Sequence, residues 1–226
     1  MGLQDREYYR DETSPGGIQF NFQTMVSKLI VVNAGLFIVN MFSSGLLFEY
    51  LKASPASLVN ISRCWQLLTY GFAHDGPVHI LFNMFALWMF GRELEHEWGT
   101  REFLRYFIMT GVIAGLSIFA WNTVRGDLIG LTYGASGAVC AVIAAYALFY
   151  PEKYIYFNFF IPVKVKYFAV FYVLLELWAL PARDGISHIG HLGGMVAGYF
   201  YILNKYRHLG IGQNFFRDFF KKKGFQ

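Results

Sequence analysis

Ser136, in the run Gly134-Ala135-Ser136-Gly137, and His191, in His191-Leu192-Gly193-Gly194, each sit about one turn inside the start of an apolar, membrane-length segment. A serine hydroxyl attacks a carbonyl carbon only when a base takes its proton, and a neutral imidazole is the usual base. Both groups are expensive in hydrocarbon unless they act on something. A third set, His79-Ile80-Leu81-Phe82-Asn83, puts an imidazole and an amide at i and i+4 on one helix face. Both can donate hydrogen bonds to the oxyanion that such an attack creates in a dry site. Each piece alone has a plain structural reading: a serine bonded to its own helix, a polar helix-end histidine, polar glue between helices. Together they point to acyl transfer, with Ser136 as nucleophile, His191 as base and His79 and Asn83 as oxyanion-hole side chains. No acid lies near the pair along these helices, so a Ser136–His191 dyad is expected.

The elements that must hold these groups are apolar. Of 226 residues, 55% are hydrophobic and 15% charged, against about 25% charged in ordinary soluble domains. The mean hydropathy is +0.36. Aromatic residues make up 19%, with Trp and Tyr near the ends of apolar runs, as membrane interfaces favour. Six apolar segments, near 26–48, 78–95, 102–122, 132–150, 165–181 and 186–204, mostly approach the roughly 20 residues that cross about 30 Å of hydrocarbon. Arg92 and Glu176 weaken the second and fifth. Residues 49–77, with Pro55 and an aromatic-rich end around Trp65, read as a long semi-polar loop lying partly in the interface. Residues 1–25 form a short polar tail without the pattern of a cleaved signal peptide, so the first apolar run stays as a membrane helix. Residues 26–205 form the membrane domain. Residues 206–226 form a tail whose Phe215-Phe216-Arg217-Asp218-Phe219-Phe220-Lys221-Lys222-Lys223 run suits either an amphipathic anchor on an anionic leaflet or a basic topology signal.

With six spans and both termini on one side, that side receives fifteen Lys and Arg, against only Lys52, Arg63, Arg125 and Arg183 opposite. The bias predicts cytoplasmic termini. The second, fourth and sixth spans then start at the outer face. His79, Asn83, Ser136 and His191 therefore fall at similar depth, within about two helical turns of the outer boundary. Gly137, Ala141 and Ala144 form a small-residue stripe at i, i+4 and i+7, and Gly194 and Gly198 form GxxxG. Small residues let helix backbones approach closely in lipid.

HxxxN on the second segment, GxSG on the fourth and HxxGxxxG on the sixth, in this order and spacing over about residues 26–205, resemble the rhomboid family of intramembrane serine proteases. The resemblance implies an all-α membrane protein, a six-transmembrane-helix bundle with both termini cytoplasmic. It makes Ser136 the nucleophile, His191 the general base, and His79 and Asn83 the oxyanion-hole side chains, joined by the Ser136 backbone N–H. Gly134 matches the glycine two before the nucleophile, and Gly137, Gly194 and Gly198 support the packing. His74 matches a recurrent family histidine with a structural role. The implied reaction is hydrolysis of peptide bonds in transmembrane protein substrates near the outer face. The implied substrate path lies between the second and fifth helices, with small residues favoured at the cleavage point. Two positions depart from the family. Cys140 stands where an aromatic residue often stacks on the base, so the base must be held another way. Trp65-Gln66 stands where many members carry Trp-Arg.

Other readings are weaker. Four histidines, His74, His79, His188 and His191, could converge on zinc, but His96-Glu97 lacks the second histidine of a zincin motif. No metal, cofactor or nucleotide is expected, and no nucleic-acid partner, because the basic residues are distributed by loop. An intramembrane aspartate pair is absent. A transporter needs polar residues along a path through the midplane, and these stop in the outer third. The serious alternative is a catalytically inactive relative that binds and escorts membrane proteins. His188 sits one turn before His191 as a rival base, but the glycines at +3 and +7 favour His191. Cys64 and Cys140 suggest no disulfide framework. Water must reach the serine, so a polar cavity is expected beneath the loops at 123–131 and 182–187. The expected location is a bacterial plasma membrane, with lipid and transmembrane substrates as partners.

Overall fold

The computed structural model describes residues 23–157, 160–182 and 185–211. The apolar segments become the helices α1 (Met25–Phe42), α5 (Pro77–Trp98), α6 (Thr100–Val124), α7 (Ser136–Phe149), α8 (Val165–Ala179) and α9 (His188–Lys205). Between α1 and α5 run α2 (Leu46–Leu51), α3 (Pro55–Val59), α4 (Gln66–Thr69) and two 3₁₀ turns. The stretch expected as a semi-polar loop is thus largely helical. The chain is mostly helical, as expected, with one addition. Between α7 and α8 the chain forms an antiparallel hairpin, β1 (Tyr154–Phe157) against β2 (Ile161–Lys164), with Tyr154 opposite Lys164 and Phe157 opposite Ile161. Tyr, Ile and Val at these positions favour extended backbone.

Taken alone, α1 and α6 are long and apolar enough to cross a bilayer. The 14 residues of α7 cover only about 21 Å at 1.5 Å per residue. Arg92, Glu93, Glu95 and Glu97 charge the last two turns of α5. The tails at 1–22 and 212–226, including the Phe215–Lys223 run, lie outside the described residues.

Helix α7 is the hub, packing against α5, α6, α8 and α9, with eleven of its residues buried. Glycine lets α7 and α9 each pack closely on α6. A Cβ on Gly137 would lie 2.5 Å from the Ala114 Cβ, and one on Gly198 2.2 Å from the Tyr106 hydroxyl. That hydroxyl sits against the bare Gly198 backbone and donates to the Ala141 carbonyl at 2.6 Å. At the opposite end, Glu95 of α5 accepts the Met25 and Val26 N–H groups at 2.6 and 2.8 Å, capping the start of α1. Large apolar side chains such as Ile38, Phe82, Phe171, Leu174 and Phe200 are exposed around the outside, while Glu176, His188 and His191 are buried inside. An apolar exterior with a few polar groups kept inside suits a molecule whose solvent is lipid.

Candidate active site

The segment before α7 is held by the α1–α5 connection. Ala53 and Thr132 exchange backbone hydrogen bonds at 2.9 and 2.7 Å, and Gly134 N–H donates to the Tyr70 carbonyl at 2.9 Å. Tyr70 is anchored in turn on the Gly111 carbonyl of α6 at 2.5 Å. Gly134 has φ +103°, a conformation other residues resist, and a Cβ there would lie 2.7 Å from the His79 ring. The glycine thus lets the chain turn and lets His79 lie against it. Ser136 follows as the first residue of α7, where the N–H groups of the first turn have no intrahelical partner and the helix dipole favours negative charge.

Ser136 Oγ lies 2.8 Å from His191 Nε2. On its other side, His191 Nδ1 lies 2.9 Å from Glu176 Oε1. The acid-free dyad expected from the sequence is therefore corrected: a carboxylate completes a Ser–His–Glu chain. An ionised carboxylate only accepts hydrogen bonds, so it draws the imidazole proton to Nδ1 and leaves Nε2 to accept the serine O–H. Glu176 escapes sequence logic because its proximity comes from topology. It lies one turn before the end of α8, and α9 begins after a short reversal, so residues 15 apart face each other. The available signal was a carboxylate buried in an otherwise apolar segment, which needs a partner. Glu176 also shows how the His191 ring is held without an aromatic residue at position 140. The Cys140 thiol instead meets the Tyr172 hydroxyl at 3.4 Å.

His188, the rival base, turns its Nδ1 to the second oxygen of the same carboxylate at 2.7 Å rather than to Ser136. His79 and Asn83 line the same cleft as Ser136 and His191, a space of about 830 Å³ that also reaches Tyr133 and Tyr172. Leu131, Gly185 and Ile186 from the two flanking loops border it. His79 Nδ1 lies 2.7 Å from Asp75 Oδ1, another partner the sequence reading missed. Asn83 donates one amide N–H to the His79 carbonyl at 3.0 Å. His74 is buried with its ring centroid 5.0 Å from that of His79. Burial, then the neighbouring His79 charge, push its pKa down to about 4, so it stays neutral. Among the described residues, His74 and His79 join no group of potential metal ligands, whereas Glu176, His188 and His191 do. Gln66 is buried and donates to the Tyr50 carbonyl at 2.9 Å, tying α4 to α2.

Gly194 packs on Gly137 and Gly198 beside Ala141, so the glycines named from the sequence all lie where a neighbouring atom within 2.7 Å leaves no space for a methyl group. Four helices bring the reactive layer together: α5, α7 and α9 by their first turns, and α8 by its last.

A family model for the rhomboid domain matches residues 62–208. Presenilin-associated rhomboid-like protein A, mitochondrial, of Danio rerio is 30% identical over 162 residues, covering 69% of this chain and 40% of that protein. The mitochondrial presenilin-associated rhomboid-like protein of Rattus norvegicus is 29% identical over 188 residues, 80% of this chain and 48% of its own length. Rhomboid protease GluP of Bacillus subtilis strain 168 is 27% identical over 148 residues, 66% of this chain and 27% of that protein. The chain spans less than half the length of each of these relatives.

Proposed function

The chain belongs to the rhomboid family of integral membrane proteins, and we propose that it is an intramembrane serine endopeptidase acting on transmembrane protein substrates near the outer face. The observation that carries this reading is the hydrogen-bonded series Ser136 Oγ, His191 Nε2, His191 Nδ1 and Glu176 Oε1, at 2.8 and 2.9 Å. Ser136 gives its proton to His191 as it attacks the peptide carbonyl, and Glu176 holds the ring and stabilises the imidazolium that forms. The oxyanion develops against the N terminus of α7, the Ser136 N–H, His79 and Asn83. His191 then protonates the leaving amine, and water from the cleft releases the acyl group by the same base.

A substrate helix hides its carbonyls in internal hydrogen bonds, so it must unwind before Ser136 can reach one. The cleft walls include Phe82 and Ala86 of α5 and Tyr172 of α8, which supports lateral access between the second and fifth spans. Six spans over residues 26–205 with cytoplasmic termini fit the fifteen-to-four distribution of Lys and Arg. As for the bilayer, the Bacillus subtilis relative supports a bacterial plasma membrane, whereas the mitochondrial names of the other two argue against it. The inactive-escort reading loses ground because both nucleophile and base are present and hydrogen-bonded.

The test compares wild type, Ser136→Ala and His191→Ala in liposomes with a transmembrane reporter bearing small residues near its outer end. Cleavage by the wild type alone is the expected result. Equal cleavage by all three, or a reporter bound but uncut by the wild type, overturns the protease reading.

A further inference from the structure

Glu176 serves two histidines at once, and the catalytic chain uses only one of them. His188 Nδ1 stands 2.7 Å from Oε2 while His191 Nδ1 stands 2.9 Å from Oε1. All three residues are buried, and one donor atom from each lies within 4.8 Å of the others. His188 and His191 occupy i and i+3 on α9, so both rings project from one face toward α8. Two imidazoles and a carboxylate are the three-ligand set of many zinc sites that keep a fourth position for water. Bonds of about 2.0–2.1 Å in a tetrahedral site put ligand atoms roughly 3.3 Å apart. The two nitrogen–oxygen spacings of 2.7 and 2.9 Å need to widen by about half an ångström, and the carboxylate and rings must turn so that donor atoms now within 4.8 Å of one another face a single point. Tyr172 precedes Glu176 by one turn on α8, a position from which its hydroxyl can orient a ligating carboxylate. Gly185, Ile186 and Ser187 border the cleft together with His191, so one of the three residues already lines it.

We propose that Glu176, His188 and His191 form a binding site for a divalent ion of the zinc class, and that its occupancy switches the serine off. The switch is a matter of tautomers. With the site vacant, His191 carries its proton on Nδ1 and accepts the Ser136 O–H at Nε2. An ion bound at Nδ1 displaces that proton, which the ring takes back on Nε2, so the imidazole stays neutral. Nε2–H then donates to Ser136 Oγ, and no base remains for the serine proton. His188 undergoes the same exchange, and Glu176 trades two hydrogen bonds for one metal bond. The switching half rests on the protease reading; the binding half does not.

The experiment uses the full chain in detergent, with no polyhistidine tag. Co²⁺ is titrated into Ser136→Ala protein and followed by visible ligand-field absorption, with Zn²⁺ as competitor. One Co²⁺ per chain with a tetrahedral-type band, displaced by Zn²⁺, is expected. Affinity should fall at least about tenfold when His188→Ala or His188→Gln is added. Identical titrations with and without His188 overturn the site. In parallel, reporter cleavage by protein with an intact serine is measured with Zn²⁺ and again after chelation. Wild type should lose at least about tenfold of its rate and regain it, while each His188 variant, scaled to its own zinc-free rate, stays flat. Co²⁺ binding without loss of cleavage overturns the switch. Absence of cleavage before any metal is added refutes the protease reading instead, while the Co²⁺ titration still decides the site.

Discussion

A Cβ on Gly194 would lie 2.1 Å from the carbonyl oxygen of Gly137. The two backbones touch, and the contact keeps His191 on α9 level with Ser136 on α7. Gly194→Ala must push the helices apart and should cost at least about 1–3 kcal/mol, with loss of cleavage. Gly35→Ala is the control, since nothing lies within 4 Å of a Cβ there; its effect should stay within about 1 kcal/mol. Thermal unfolding of both variants in one detergent makes the comparison.

Glu176→Gln keeps the size of the side chain and removes the charge that draws the His191 proton to Nδ1. By analogy with the loss of the acid from a Ser–His–Asp triad, kcat should fall by about 10²–10⁴ with KM little changed. Glu176→Asp should recover part of the rate. A fall in KM and kcat together, or no fall at all, removes Glu176 from the catalytic chain.

Asp75 gives a pH dependence with a definite sign. Burial raises its pKa, but the hydrogen bond and charge of His79 outweigh this and hold it below the usual carboxylate value. Its contribution is therefore complete above the unfolded carboxylate pKa of about 4 and disappears as pH falls through the lower folded value. Asp75 is partly exposed, so the pair should contribute no more than roughly 1 kcal/mol. The catalytic effect is the sharper readout. Asp75 fixes the ring of His79 through Nδ1, and that ring lines the same cleft as Ser136. Asp75→Asn should lower kcat more than it raises KM.

Cys64 is exposed and Cys140 is buried against Tyr172. A bulky maleimide should therefore label one thiol per native chain and two after denaturation. Labelling should leave Cys140 untouched even in protein that is actively cleaving, and Cys64→Ser should abolish native labelling altogether.

What could be read from the sequence was whatever repeats with a helical period. Apolar runs located α1 and α5–α9, and polar residues at the starts of three of them anticipated one shared layer. Glycine spacing distinguished His191 from His188, because close helix packing leaves a four-residue trace. Glu176 and Asp75 left no such trace. Each reaches its histidine through a reversal of the chain, or through one turn before a proline-started helix, and a lone carboxylate has no period. The Ala53–Thr132 and Gly134–Tyr70 bonds that set Ser136 were equally hidden, since backbone pairing between distant loops depends little on side-chain type. The β1–β2 hairpin was short enough to disappear between two apolar segments.

On the protease reading, the shortness of α7 decides where a substrate is cut. Its inner end is fixed by Tyr146, Phe149 and Tyr150 in the aromatic cluster around Trp98 and Tyr206, so Ser136 stands at a height given by counting residues, 1.5 Å for each. Such a helix is a ruler. In the proposed topology and reaction, it sets the bond to be cleaved by depth from the cytoplasmic face, and sequence preference then chooses only among the few residues a substrate presents at that level. A bilayer of different thickness would change which residues those are without altering a single contact inside the protein.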